Sequence, residues 1–175
     1  MLEDRGEQFV AAGRIHAWTV PSGTCTIWYM RTGRIDVHAV SDAPPSAVFA
    51  LLHDVSTWPD WADFATARLE REGSPDPDGV GAIRAFTGQA DTREEVVAVE
   101  QDRHFAYVLL SGIPIRGYRA DVRLSPTASG GTEISWRSSF TAKIPGTTRL
   151  IEKRLGAFID DTARRLATAA AHVPR

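Results

Sequence analysis

Residues 117–142 read GYRADVRLSPTASGGTEISWRSSFTA, and their phase decides how the rest of the chain must be arranged. Tyr118, Ala120, Val122 and Leu124 alternate with Arg119, Asp121 and Arg123. Beyond Gly130-Gly131, Ile134, Trp136, Ser138 and Phe140 alternate with Glu133, Ser135 and Arg137. A period of two belongs to a strand with one dry and one wet face. Folding the two runs back on each other at the Gly-Gly pair puts all the apolar residues on one side. A slip of one residue would carry Arg119, Asp121 and Arg123 inward, so this register is strongly specified.

Upstream, the same reading gives strands at Phe64–Arg71, Val80–Thr87, Arg93–Glu100 and His104–Leu110, ahead of Gly117–Ser125 and Thr132–Ala142. The breaks between them are rich in turn formers: Gly73 to Gly79, Gly88, Asp102, Gly112-Ile113-Pro114 and Ser129-Gly130-Gly131. Loops this short join antiparallel neighbours, because parallel strands need long crossovers. A further strand starts at Gly33, where Ile35, Val37 and Ala39 alternate with Arg34, Asp36 and His38. Ser41-Asp42-Ala43-Pro44-Pro45 then suits a helix entrance, with Ser41 or Asp42 as the cap and proline tolerated in the first turn. Val48, Phe49, Leu51 and Leu52 supply that helix's apolar stripe, ending near His53-Asp54, and a second short helix at Val55–Ala62 carries Trp58-Pro59-Asp60-Trp61.

Downstream, Pro145-Gly146-Thr147-Thr148 opens a long amphipathic helix. Ile151, Leu155, Phe158, Ile159, Thr162, Leu166 and Ala169 recur on one face at spacings of three and four. The expected fold is α+β: a curved seven-stranded antiparallel sheet wrapped around a long C-terminal helix, with two short helices after the first strand. The domain spans residues 30–175. Residues 1–29, irregular and broken at Pro21-Ser22-Gly23, read as an N-terminal extension of uncertain structure.

Composition narrows the function. Net charge is −2 over 175 residues, so no basic field draws nucleic acid or an anionic membrane. Cys25 is the single cysteine, which excludes an intrachain disulfide and suits a reducing, cytoplasmic setting. No apolar run reaches the ~20 residues of a membrane span, and Met1-Leu2-Glu3-Asp4 is acidic where a signal peptide is basic. The five histidines lack ligand spacing and no Gly-rich loop joins a strand to a helix, so neither a metal nor a nucleotide cofactor is expected. Ser138 and Ser139 lie in a strand, without the strained turn that exposes a nucleophile. His104 is read as a surface residue near the rim, and the two tryptophans of Trp58-Pro59-Asp60-Trp61 as a cover for one end of the core in preference to a ligand gate.

The inner face follows from hairpin register. A turn centred near Gln89 sets Arg84 opposite Glu95, Phe86 opposite Arg93 and Ala82 opposite Val97. A tight turn at Asp102 sets Val97 opposite Tyr107 and Val99 opposite Phe105. The inner surface then holds Arg84, Phe86, Glu95, Val97, Tyr107, Tyr118, Trp136 and Phe140, with Phe158 facing them from the helix. These residues are either a packed core or the wall of a cavity. One helix about 10–12 Å across does not cover a seven-stranded concave sheet, which favours the cavity. Arg84 and Glu95 face inward in this register, and a shift of one residue would leave at least one of them in solvent.

The order of elements, with Ala43-Pro44-Pro45-Ser46-Ala47-Val48-Phe49, Leu51-Leu52-His53-Asp54, Trp58-Pro59-Asp60-Trp61, Gly79-Val80-Gly81-Ala82, Glu94-Glu95-Val96, Arg103 to Tyr107, Tyr118-Arg119-Ala120 and Gly130 to Trp136, resembles the START-like (SRPBCC) superfamily. The likeness runs from about Arg34 to Ala171 and is strongest to its polyketide cyclase/dehydrase and lipid-transport branch. It implies a helix-grip fold enclosing a small hydrophobic molecule such as a lipid, isoprenoid or aromatic polyketide. No catalytic set is common to that superfamily, so none carries over. Three functions follow as expectations. The first is noncatalytic binding or transport of such a molecule. The second is a cyclase/dehydratase that positions a poly-keto chain and moves protons with Arg84, Glu95 and Tyr107. The third is a protein-interaction module with a closed interior.

Overall fold

The alternating runs become strands close to the expected limits in a computed structural model that describes residues 31–172. The extension at residues 1–29 lies outside those residues. β1 (Thr32–Ser41) is exposed and buried by turns along its whole length. It is followed by α1 (Pro45–His53), a 3-10 turn (Val55–Thr57) and α2 (Trp58–Trp61). The meander is β2 (Phe64–Arg71), β3 (Ile83–Gly88), β4 (Thr92–Glu100), β5 (His104–Ser111), β6 (Ile115–Pro126) and β7 (Thr132–Ala142), and α3 (Thr148–His172) closes the chain. The seven strands form one sheet in the order β1-β7-β6-β5-β4-β3-β2, antiparallel throughout.

The β6–β7 hairpin has the expected register, with Leu124 opposite Ile134, Val122 opposite Trp136 and Ala120 opposite Ser138. β1 then pairs with β7 so that Ile35, Val37 and Ala39 join the same dry face. α3 lies against β1: Gly156 approaches Ile35, and Ser41 Oγ donates to the carbonyl of Ala167 at 2.6 Å.

Two local expectations fail. Neither Ser41 nor Asp42 caps α1; Pro44 occupies that position without a side-chain bond, and the Ser41 hydroxyl accepts from Ala43 N at 3.2 Å instead. His104 is buried on the sheet's outer side, because Asp121 across the β5–β6 ladder meets its Nε2 at 2.9 Å.

The larger correction is in β4. Val99 stands opposite Phe105 as expected, but a bulge at Val97 breaks the ladder, so Val96, not Val97, faces Tyr107. Two residues against one reverses the side to which every residue before the bulge points. The β3–β4 register moves with it: Arg84 pairs with Glu94, Ala85 with Arg93 and Phe86 with Thr92.

Candidate functional site

The sheet and α3 do not meet along their full length. Between them lies a cavity of about 550 Å³, within the range typical of small-molecule sites. Trp58, Phe64, Tyr107, Tyr118, Trp136 and Phe158 supply its aromatic wall, and Leu109, Ile115, Ile151, Leu155 and Ile159 much of the aliphatic part. Its rim is built at one end of the sheet by Gln89 and Ala90 of the β3–β4 turn, Ile113 and Pro114 of the β5–β6 loop, and Ile144 and Thr147 before α3. Leu150 on the first turn of α3 completes the mouth. Ile144 and Leu150, both at this mouth, are 57% and 52% exposed. A broader depression beside Pro45 and Arg103 lies on the outer surface, lined largely by charged and polar residues.

The wall can be traced to local sequence. Trp58 begins α2, buries its ring and donates Nε1 to Leu52 O at 3.1 Å; Trp61 donates to Thr57 Oγ1 at 3.2 Å. Both rings therefore cover one end of the core as expected, and Trp58 also reaches the cavity. Phe64 packs against Phe86 and, edge-on, against Phe158, with ring centres 4.6 and 5.8 Å apart. Tyr107 stands 6.1 Å from Tyr118 and 6.4 Å from Trp136 between ring centres. Burial pushes both tyrosine hydroxyls well above their ordinary range, so they stay protonated. Trp136 is fully enclosed, yet its Nε1 has no hydrogen-bond partner among the described residues.

One carboxylate stands among these rings. Glu94 lines the cavity and is only partly exposed. Burial raises its carboxyl to about 7, with the charge of Arg84 opposing the rise. Arg84, across the ladder, is completely buried but does not reach the cavity. Its guanidinium carbon sits 4.6, 5.0 and 5.3 Å from the ring centres of Trp58, Phe105 and Phe86. Nη1 donates to Leu52 O at 3.4 Å, while Nε and Nη2 have no partner among the described residues. Cation–π contacts offer roughly 0.5–2 kcal/mol each, against several kcal/mol for desolvating the charge. Arg84 is therefore costly to the fold by itself, and its effect on the site is to hold Glu94 below the value burial alone would impose.

Of the nine residues expected at the site, the structure gathers Tyr107, Tyr118, Trp136 and Phe158 around the cavity. Arg84 and Phe86 are buried behind the wall, and Phe140 lies over Gly33 of β1, where any Cβ would collide with its ring. Glu95 is on the other face, where Arg71 meets it at 2.9 Å, and Val97 is the bulge residue. Sequence reading missed Glu94, Phe64 and the whole rim, and set the ligand-facing reading of Trp58 below its structural one. Ile151, Leu155, Ile159 and Thr162 were already visible as the helix stripe; Glu94 was hidden by the bulge.

Among the described residues, no helix is long and apolar enough to cross a membrane. No curated protein matches the chain by sequence. Among solved structures, the chain is similar to a START superfamily protein from Mycobacterium smegmatis, with 10% identity over 81% of this chain and 99% of that one and a TM-score of 0.71. It is also similar to XoxI from Bacillus cereus (12% identity, 81% and 97% covered, TM-score 0.67) and to Ara h 8.0201 (13%, 80% and 98%, TM-score 0.61). Identities this low carry the fold alone. A model of the family described as polyketide cyclase / dehydrase and lipid transport matches residues 32–171, so the chain belongs to that START-like family.

Proposed function

We propose that the protein binds a small hydrophobic molecule, such as a lipid, isoprenoid or aromatic polyketide, in this cavity and carries it without altering it. The observation that supports this most is the wall itself: six aromatic rings, aliphatic neighbours and only a few polar groups around about 550 Å³. Burying an apolar ligand there gains about 25 cal/mol per Å² of apolar surface removed from water. The exposed Ile144 and Leu150 at the mouth give such a ligand an apolar way in. A closed interaction module has no use for either feature. The expected setting remains a reducing cytoplasm.

A second reading, a cyclase/dehydratase acting by positioning and acid–base catalysis, draws on Glu94 in place of Glu95. A carboxyl held at about 7 inside an apolar cavity is suited to general acid–base work at neutral pH. Native mass spectrometry of the full chain purified from its own host tests the binding reading. A one-to-one adduct of a small apolar compound, released unchanged by organic solvent, supports carriage. A compound recovered in altered form after incubation supports the enzyme, and protein that retains and takes up nothing opposes both.

A further inference from the structure

We infer that the stretch Thr24-Cys25-Thr26-Ile27-Trp28-Tyr29-Met30 covers the mouth of the cavity, so that a ligand enters only when this part of the same chain moves aside. This rests on the binding reading above and adds a control on entry to it. The stretch lies outside the described residues, but the point where it joins them is fixed by strand register. β1 begins at Thr32, which pairs with Thr141 near the end of β7. The next residue of β7, Ala142, stands opposite Ile115 at the start of β6. Ile115 directly follows the rim residues Ile113 and Pro114, and Ala142 comes just before Ile144. The chain therefore enters β1 at the end of the sheet where the cavity opens.

Arg31 also ties that entry to the helix that completes the mouth. Its carbonyl accepts from Thr148 Oγ1, and its Nη2 meets Glu152 Oε1, each at 3.4 Å. Thr147 and Ile151, the residue before Thr148 and the residue three after it, both line the cavity, as does Leu150. Extended chain covers about 3.3–3.6 Å per residue, so Trp28 has about 10 Å of reach from Arg31 and Cys25 about 20 Å. A helix is about 10–12 Å across, so Leu150 is within range of Trp28. Ile144 and Leu150 present apolar surface at the opening, and Ile27, Trp28, Tyr29 and Met30 bring large, mainly apolar side chains to it. Covalent attachment over a few residues gives an effective concentration on the order of millimolar, an advantage that a second copy of the chain lacks.

The test uses the full chain, whose single cysteine, Cys25, lies in this stretch. Leu150→Cys places a second thiol on the mouth, and Arg116→Cys places one at an exposed site off it. Arg116 is in line with Thr141 and Thr32, two strands or about 10 Å from β1, so Cys25 has the reach for either. Each rate of disulfide formation with Cys25 is divided by that thiol's reaction with glutathione, which cancels intrinsic reactivity. The normalised rate should be about tenfold or more higher for Leu150→Cys, with the bond within one chain. In stopped flow, Trp28→Asp should speed uptake of the neutral dye N-phenyl-1-naphthylamine about tenfold, as for a mouth covered about nine-tenths of the time. Equal normalised rates, or dye uptake unchanged in folded Trp28→Asp, overturn the cover. Disulfides formed mainly between chains overturn it in favour of a second copy at the mouth. The disulfide comparison decides even if Trp28→Asp does not fold. Failure of every folded chain to take up dye overturns the binding reading and the control on entry with it, whereas a disulfide result against the cover leaves the cavity a binding site.

Discussion

The two halves of α3 rest on the same sheet in different ways. From Ala163 to Ala170 the helix is seated tightly: Ala163, Leu166, Ala167 and Ala170 are buried, and Ala167 O is tied to Ser41. Small side chains let helix and sheet approach, and α1 with Val48 and Leu52 fills what remains. From Leu150 to Thr162 the inward residues are larger, yet Ile151, Leu155 and Phe158 stay partly exposed around open space. Bulky residues there act as walls and do not fill. The solid half supplies stability and the hollow half supplies a site.

Substitutions on either side of Ala163 should separate those roles. Leu166→Asp places a charge where nothing can pair with it and should leave the chain insoluble or molten; Leu166→Ala should cost ~2–5 kcal/mol in denaturant unfolding. A mild effect of both would mean that the seated half does not hold the fold.

Next in size is the pH dependence that Glu94 imposes. Its carboxyl is raised in the folded chain from 4.5 to about 7, so folding takes up a proton between those values. That contribution is fully present below about 4.5, is lost as pH rises through 7, and is flat above it. It amounts to up to about 3 kcal/mol, less in practice because Glu94 is partly exposed. Glu94→Gln should abolish this component, seen as a smaller difference in unfolding free energy between pH 5 and pH 8.

Phe158→Ala removes a larger side chain than Leu166→Ala but should cost less, about 1–2 kcal/mol, because the ring is half-buried against open space. Its main effect should be on ligand affinity; a larger loss of stability than at Leu166 would erase the distinction between the halves. Smallest of all, Glu95→Gln breaks a surface pair with Arg71 and should cost under about 1 kcal/mol without changing ligand binding.

The pair Glu94 and Glu95 also marks where sequence stops being informative. β6 and β7 were legible because alternating charge makes a slip expensive and Gly130-Gly131 fixes the turn. β4 has no such guard: Glu94-Glu95 is followed by Val96-Val97-Ala98-Val99, four apolar residues without phase, so either glutamate can point inward. The bulge at Val97 chooses between them, and no residue type announces it. The strand order and the helix stripe were readable, and so were Tyr107, Tyr118, Trp136 and Phe158 as wall. The rim was not, since it gathers residues from three separate loops and the first turn of α3.

The central claim is that the hollow half of α3 encloses a ligand. The most direct measurement is titration of N-phenyl-1-naphthylamine into the wild type and into Thr162→Phe, which projects a ring into the cavity from the buried position 162. Far-UV circular dichroism confirms that each chain is folded. Saturable binding of one dye per wild-type chain, lost in folded Thr162→Phe, is the result this account predicts. Equal dye binding by both proteins, or none by the wild type, would contradict it.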